Sequence, residues 1–132
     1  MPRKSIGLRD FLLRAAFFAC IALLVALSWL PSSAMVRTGI SGHLEHAAAY
    51  FGTAIAMGLA YRQAPRLPVQ FALLVALAAI LEAGQLYAPG RNSSFLDFAA
   101  SSTGVAVGAL LMRAARPTIL SCLGFDRRSP DP

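Results

Sequence analysis

Four apolar runs separated by short polar or turn-forming stretches set the plan of this chain, at 11–30, 43–61, 68–87 and 95–112. Each comes close to the roughly 20 mainly apolar residues that a helix needs to cross a hydrocarbon core about 30 Å thick. The second and fourth are the weaker spans, because they open on polar residues and are rich in Ala and Gly rather than Leu. The basic, proline-containing stretch at 62–68 makes a tight hairpin that predicts antiparallel neighbours in the second and third runs. Gly52 and Ala56 on one side, with Ala72, Ala76, Ala79 and Ala83 on the other, supply small residues for close approach of those helices. Gly104 and Gly108 form a GxxxG pair, read as helix packing and not as evidence for a dimer. The expected fold is all-α: a small four-helix transmembrane bundle over 11–112, between a basic N-terminus (1–10) and a basic tail (113–132).

Composition agrees, since 57% of the 132 residues are hydrophobic and only 14% charged, far from a soluble norm. A net charge of +6 raises nucleic acid as a partner, but the placement of the cations argues against it. Arg3, Lys4, Arg9 and Arg14 precede or begin the first run, Arg62 and Arg66 separate the second and third, and Arg113, Arg116, Arg127 and Arg128 follow the fourth. Only Arg37 and Arg91 fall in the other two loops. This asymmetry fits the positive-inside rule with both termini cytoplasmic, and Trp29, Tyr87 and Tyr61 then stand at membrane interfaces. Residues 1–34 also have the parts of a cleavable signal peptide, but the apolar stretch is longer than usual, so a retained first span is expected. Cys20 lies mid-span and Cys122 in the tail, so no disulfide is expected between them.

Against this apolar background a few polar residues stand out. Glu82 lies about five residues from the end of the third run, roughly 8 Å deep at 1.5 Å per residue, with Gln85 one turn nearer the surface. A carboxylate in such a place is costly without a partner or a task, so it is a functional-site candidate. A Pro89-Gly90 reversal follows, then Arg91, with Ser94 as helix cap and Asp97 three residues beyond. Ser94-x-x-Asp97 also fits a capping box, which asks nothing of function, whereas Asp97 and Ser101 at spacing four begin a polar face. In the second run His43, His46 and Tyr50 share one face, with Glu45 placed to complement the helix dipole. His46 is the deeper histidine; His43 reads more simply as an interfacial residue.

The ordered set His46-x-x-x-Tyr50, Glu82-x-x-Gln85, Pro89-x-Arg91, Asp97 and Gly104-x-x-x-Gly108 resembles the VanZ-like family of small bacterial membrane proteins, over about residues 42–112. The chain departs from that pattern at Gly42-His43, where members often carry Asp-Lys, and at Ser101, where they carry Asn. The resemblance implies a multi-pass protein of the bacterial inner membrane. One member is associated with teicoplanin resistance, which implies a part in antibiotic or envelope-stress tolerance; the family supplies no established reaction.

If the spans form one bundle, His46, Tyr50, Glu82, Gln85, Arg91, Asp97 and Ser101 meet at the outer side. That constellation suits an anionic amphiphile: a lipid headgroup, a lipid-linked envelope intermediate or a lipoglycopeptide. Arg91 would supply a charge-assisted fork for phosphate or carboxylate. An enzymatic extension, with His46 or Glu82 as general base, is the less favoured reading, because no nucleophile motif is present and Ser101 or Tyr50 would have to serve. His43, Glu45, His46 and Glu82 fall short of a zinc ligand set, so no metal or cofactor is expected. The alternative is structural, the same residues clasping the bundle while function lies in a homo-oligomer or a larger membrane partner.

Overall fold

The computed structural model describes residues 7–31, 33, 39, 41–61, 67–90 and 93–122. Their secondary structure is all helical: α1 (Leu8–Trp29), α2 (Gly42–Ala60), α3 (Leu67–Gly84), which tightens into a 3₁₀ turn over Gln85–Tyr87, and α4 (Phe95–Cys122). Local chemistry places the ends. Leu30 and Ala88, each preceding a proline, leave the helical region for extended backbone, as the proline ring demands. The carbonyl of Ser41 starts α2 by accepting the N–H groups of Leu44 and Glu45. Gly90 takes φ +71°, which only glycine adopts freely, and so completes the Pro89-Gly90 reversal.

Two boundaries differ from expectation, the first being the start of α1 at Leu8, three residues before 11. Helix α4 runs through the basic segment to Cys122, past the expected end at 112, with Pro117 inside it. Charge does not stop a helix, and Arg, Ala and Leu are all good helix formers. Pro117 removes one backbone donor from the ladder without ending it.

The contacts define how the helices run. Gly104, Gly108 and Met112 of α4 meet Ala47, Ala54 and Gly58 of α2 in the same order, so these two helices are parallel. Gln70 at the start of α3 donates to the Tyr61 carbonyl at the end of α2, at 3.2 Å, so α3 is antiparallel to them. Trp29 at the end of α1 covers Gly84 at the end of α3.

Helix α4 makes its closest contact with α2. A Cβ at Gly104 would overlap the Ala47 carbonyl, and one at Gly108 would stand 2.8 Å from Ala54 Cβ and 2.9 Å from the Phe51 oxygen. The hairpin pair α2 and α3 is less intimate, which corrects the expected small-residue seam between them. Ala72, Ala76, Ala79 and Ala83 are exposed, and Gly52 has nothing within 4 Å of where its Cβ would be. The reason is a competition on α3. The helix turns Gln70, Leu74, Ala78, Leu81 and Glu82 inward, followed by Gln85 of the 3₁₀ turn. Leaving an amide or carboxylate in hydrocarbon costs several kcal/mol, more than alanine packing returns.

The interior is mostly apolar, with Leu24, Met57, Leu74 and Val105 in its core, but it also takes in several polar side chains, while large apolar residues cover the outside. Buried positions hold Ser28, Thr53, Gln70, Glu82, Gln85 and Ser101, while Phe11, Phe18, Leu23, Leu73, Ile80 and Leu110 face outward. Three helices, α1, α3 with its 3₁₀ turn, and α4, are long and apolar enough to cross a membrane. Helix α2 opens on His43, Glu45 and His46, yet it touches all three others.

Candidate functional site: a polar layer at one end of the bundle

The end where α1 and α3 finish and α2 and α4 begin collects most of the polar residues singled out in the sequence. Glu82 organises it. Its side chain is buried, and its Oε1 accepts the backbone N–H of Ser94. The first N–H groups of a helix have no partner within it and carry the positive end of its dipole, so a carboxylate is well matched there. Thus α3 caps α4 across the turn that joins them.

This displaces the capping box that Ser94 and Asp97 could have formed. In that motif Asp97 would accept the Ser94 N–H, but Glu82 occupies the position. Asp97 instead meets His43, with Nδ1 to Oδ1 at 2.6 Å. His43 is therefore a pairing residue as well as an interfacial one. Its side chain is 52% exposed against 19% for Asp97, so solvent screens the pair. Replacing His43 with alanine is expected to cost no more than about 1 kcal/mol. The check is the unfolding midpoint of the purified variant in detergent.

One turn deeper, the Ser101 hydroxyl and His46 Nδ1 are 3.4 Å apart, the long end of hydrogen bonding. Ser101 is buried and His46 partly so. Tyr50 follows on the same face of α2, is buried, and lies within electrostatic range of the Glu82 carboxylate. The layer thus joins α2 to α4 through His43 with Asp97 and His46 with Ser101, and α3 to the start of α4 through Glu82 with Ser94. Arg91 falls outside the described residues.

Gln85 stands apart from these pairs. It is only 2% exposed, and its Nε2 has no hydrogen-bond partner among the described residues. An unpaired buried amide donor costs about 1–3 kcal/mol, enough to call for an acceptor. Ser102, beside Ser101, also keeps a buried hydroxyl without a partner.

Three buried polar residues were not among the candidates. Thr53 donates to Ala49 O at 2.8 Å, a bond within its own helix that satisfies the hydroxyl. Its position three residues beyond Tyr50, on the face of His46, was the available signal. Ser28 is buried on the last turn of α1, at the same end of the bundle. Gln70 lies at the opposite end and ties α3 to α2.

The arrangement constrains the chemistry. Ser101 and His46 have the residue types of a nucleophile and base, but Ser101 sits inside α4, where neighbouring backbone N–H groups are committed to the helix. They leave no backbone pocket for an oxyanion. Among the described residues, no three His, Cys, Asp or Glu side chains come together to hold a metal. No protein-family model, curated protein or solved structure matches the chain. The layer is a set of internally bonded groups with one unsatisfied amide donor among the described residues.

Proposed function

We propose that the chain is a VanZ-like, four-span protein of the bacterial inner membrane, with both termini cytoplasmic, whose polar layer binds an anionic amphiphile in the outer leaflet. The ligand class is a lipid headgroup, a lipid-linked envelope intermediate or a lipoglycopeptide, and the role is in antibiotic or envelope-stress tolerance. The observation that carries the reading is Gln85, buried with its Nε2 unpaired beside residues that satisfy one another. Phosphate and carboxylate oxygens are acceptors, the complement of that donor. Arg91, in the adjoining turn, adds the cation that such a group requires. Placement in the outer leaflet rests on the segregation of Lys and Arg. At 19 residues α2 is about 28 Å long, which suffices for a fourth span.

A second reading is favoured by the bonds already made. The pairs between Glu82 and Ser94, His43 and Asp97, and His46 and Ser101 are what a structural clasp would need. Each such contact is worth on the order of 1 kcal/mol between membrane helices.

Two variants separate the readings. In cells challenged with a lipoglycopeptide, Arg91→Ala and Gln85→Leu are expected to lose tolerance while the protein still accumulates in the membrane. Disappearance of both proteins from the membrane fraction, with tolerance lost only in proportion, would favour the clasp. For topology, a cysteine introduced at position 91 is expected to react with an impermeant maleimide added outside the cell. Labelling only after the cytoplasmic face is opened would overturn the orientation.

A further inference from the structure

At the end of the bundle opposite the polar layer, α1 and α3 leave a cleft of about 430 Å³ between them, within the size range of ligand sites. Phe17 and Ile21 of α1 and Leu73 and Leu77 of α3 form its walls, and Met57 and Tyr61 of α2 its floor. It opens toward the exterior of the bundle, where Phe18 and Leu73 are 58% and 52% exposed. The same two helices close at the other end, where Trp29 covers Gly84.

Arg14, one turn before Phe17 and Phe18, lies over the Tyr61 ring that lines this cleft, with its guanidinium 5.6 Å from the ring centre. Its Nε is buried without a hydrogen-bond partner among the described residues. Stacking on an aromatic face steadies a cation but supplies no acceptor for its N–H groups. Asp10, one turn earlier on α1, is the nearest acid in sequence and the local competitor for any anion. From Arg14 to Ile21 the helix rises about 10 Å, within the roughly 15 Å depth of one leaflet.

We infer that this cleft seats one acyl chain of an anionic phospholipid of the inner leaflet, whose phosphate is held by Arg14. The apolar walls match the chain, and the cation with its unsatisfied donor matches the phosphate at the chain's head. The inference rests on the proposed orientation of the bundle but not on the outer ligand, and the two sites are separable by mutation.

The test uses the full-length protein in phosphatidylcholine bilayers doped with chain-labelled phosphatidylglycerol or phosphatidylethanolamine, read by electron paramagnetic resonance. The wild type is expected to immobilise phosphatidylglycerol in preference to phosphatidylethanolamine by about tenfold, the scale of one charge-assisted bond. Arg14→Gln is expected to abolish the preference, Arg14→Lys to restore part of it, and Ile21→Trp, which fills the cleft, to remove the immobilised component. Every protein in this comparison, the otherwise wild-type one included, also carries Gln85→Leu, so that an anionic headgroup held in the polar layer does not contribute to the preference. Equal immobilisation of the two lipids by the wild type, or a preference that survives both Arg14→Gln and Ile21→Trp, would overturn the inference. So would self-association through the cleft, seen as a dimer that Ile21→Trp disperses while lipid preference stays constant. If Arg14→Gln fails to accumulate, Ile21→Trp decides alone, since retention of the preference with the cleft filled is incompatible with the site.

Discussion

Gly104→Ala is expected to destabilise the protein by about 3 kcal/mol or more, the upper range for overpacking in a close-packed interior. The added Cβ would overlap the Ala47 carbonyl, and a backbone group cannot swing aside as a side chain can. Relief would require α2 and α4 to separate along their contact. That movement would carry His46 away from Ser101 and His43 away from Asp97, so the seam and the polar layer fail together. Gly108→Ala should follow with a smaller loss, since its contacts at 2.8 and 2.9 Å include the Ala54 methyl. Gly52→Ala is the control: it meets open space and should be neutral or gain up to about 1 kcal/mol from helix propensity. Unfolding midpoints of the three purified variants in one detergent give the order directly. A Gly104 variant as stable as wild type would mean that α2 and α4 do not pack on this face.

The second large effect concerns Glu82, through a comparison of two substitutions. Glu82→Ala leaves the Ser94 N–H at the start of α4 without its acceptor, in a place shielded from water. The cost is about 1–3 kcal/mol, together with loosening of the turn that carries Arg91. Glu82→Gln keeps an acceptor oxygen of the same reach and removes only the charge. It is expected to retain most of the wild-type stability yet lose lipoglycopeptide tolerance, because the layer then lacks its buried carboxylate. Equal instability of the two variants would assign Glu82 to the clasp alone.

The helices were readable from hydrophobic run length alone, because an apolar run between turn signals has few other ways to fold. The expected ends at 30, 43, 68 and 95 lie within one residue of those observed. The pairing of helices was less accessible. Small residues on α3 suggested a seam with α2, but periodicity shows which residues share a face and not which of several faces is buried. The face of Glu82 and Gln85 prevailed, and the glycines of α4 became the seam. At the site, the gathering of His46, Tyr50, Glu82 and Ser101 followed from topology. The exchange of partners did not: a capping box is a local pattern, whereas Glu82 reaches Ser94 only because α3 and α4 meet at a tight turn. The cleft beside Arg14 was invisible for a similar reason, since it is a space between helices distant in sequence.

The central claim is that the polar layer holds a ligand, and native mass spectrometry of the full-length protein gently released from membranes tests it most directly. The measurement is made in the Ile21→Trp background, so that a lipid in the opposite cleft does not contribute. One anionic amphiphile per chain is expected to be retained, and to be lost when either Gln85→Leu or Arg91→Ala is added while the protein stays folded. The same bound species at the same occupancy in all three proteins, or none in any of them, would contradict it.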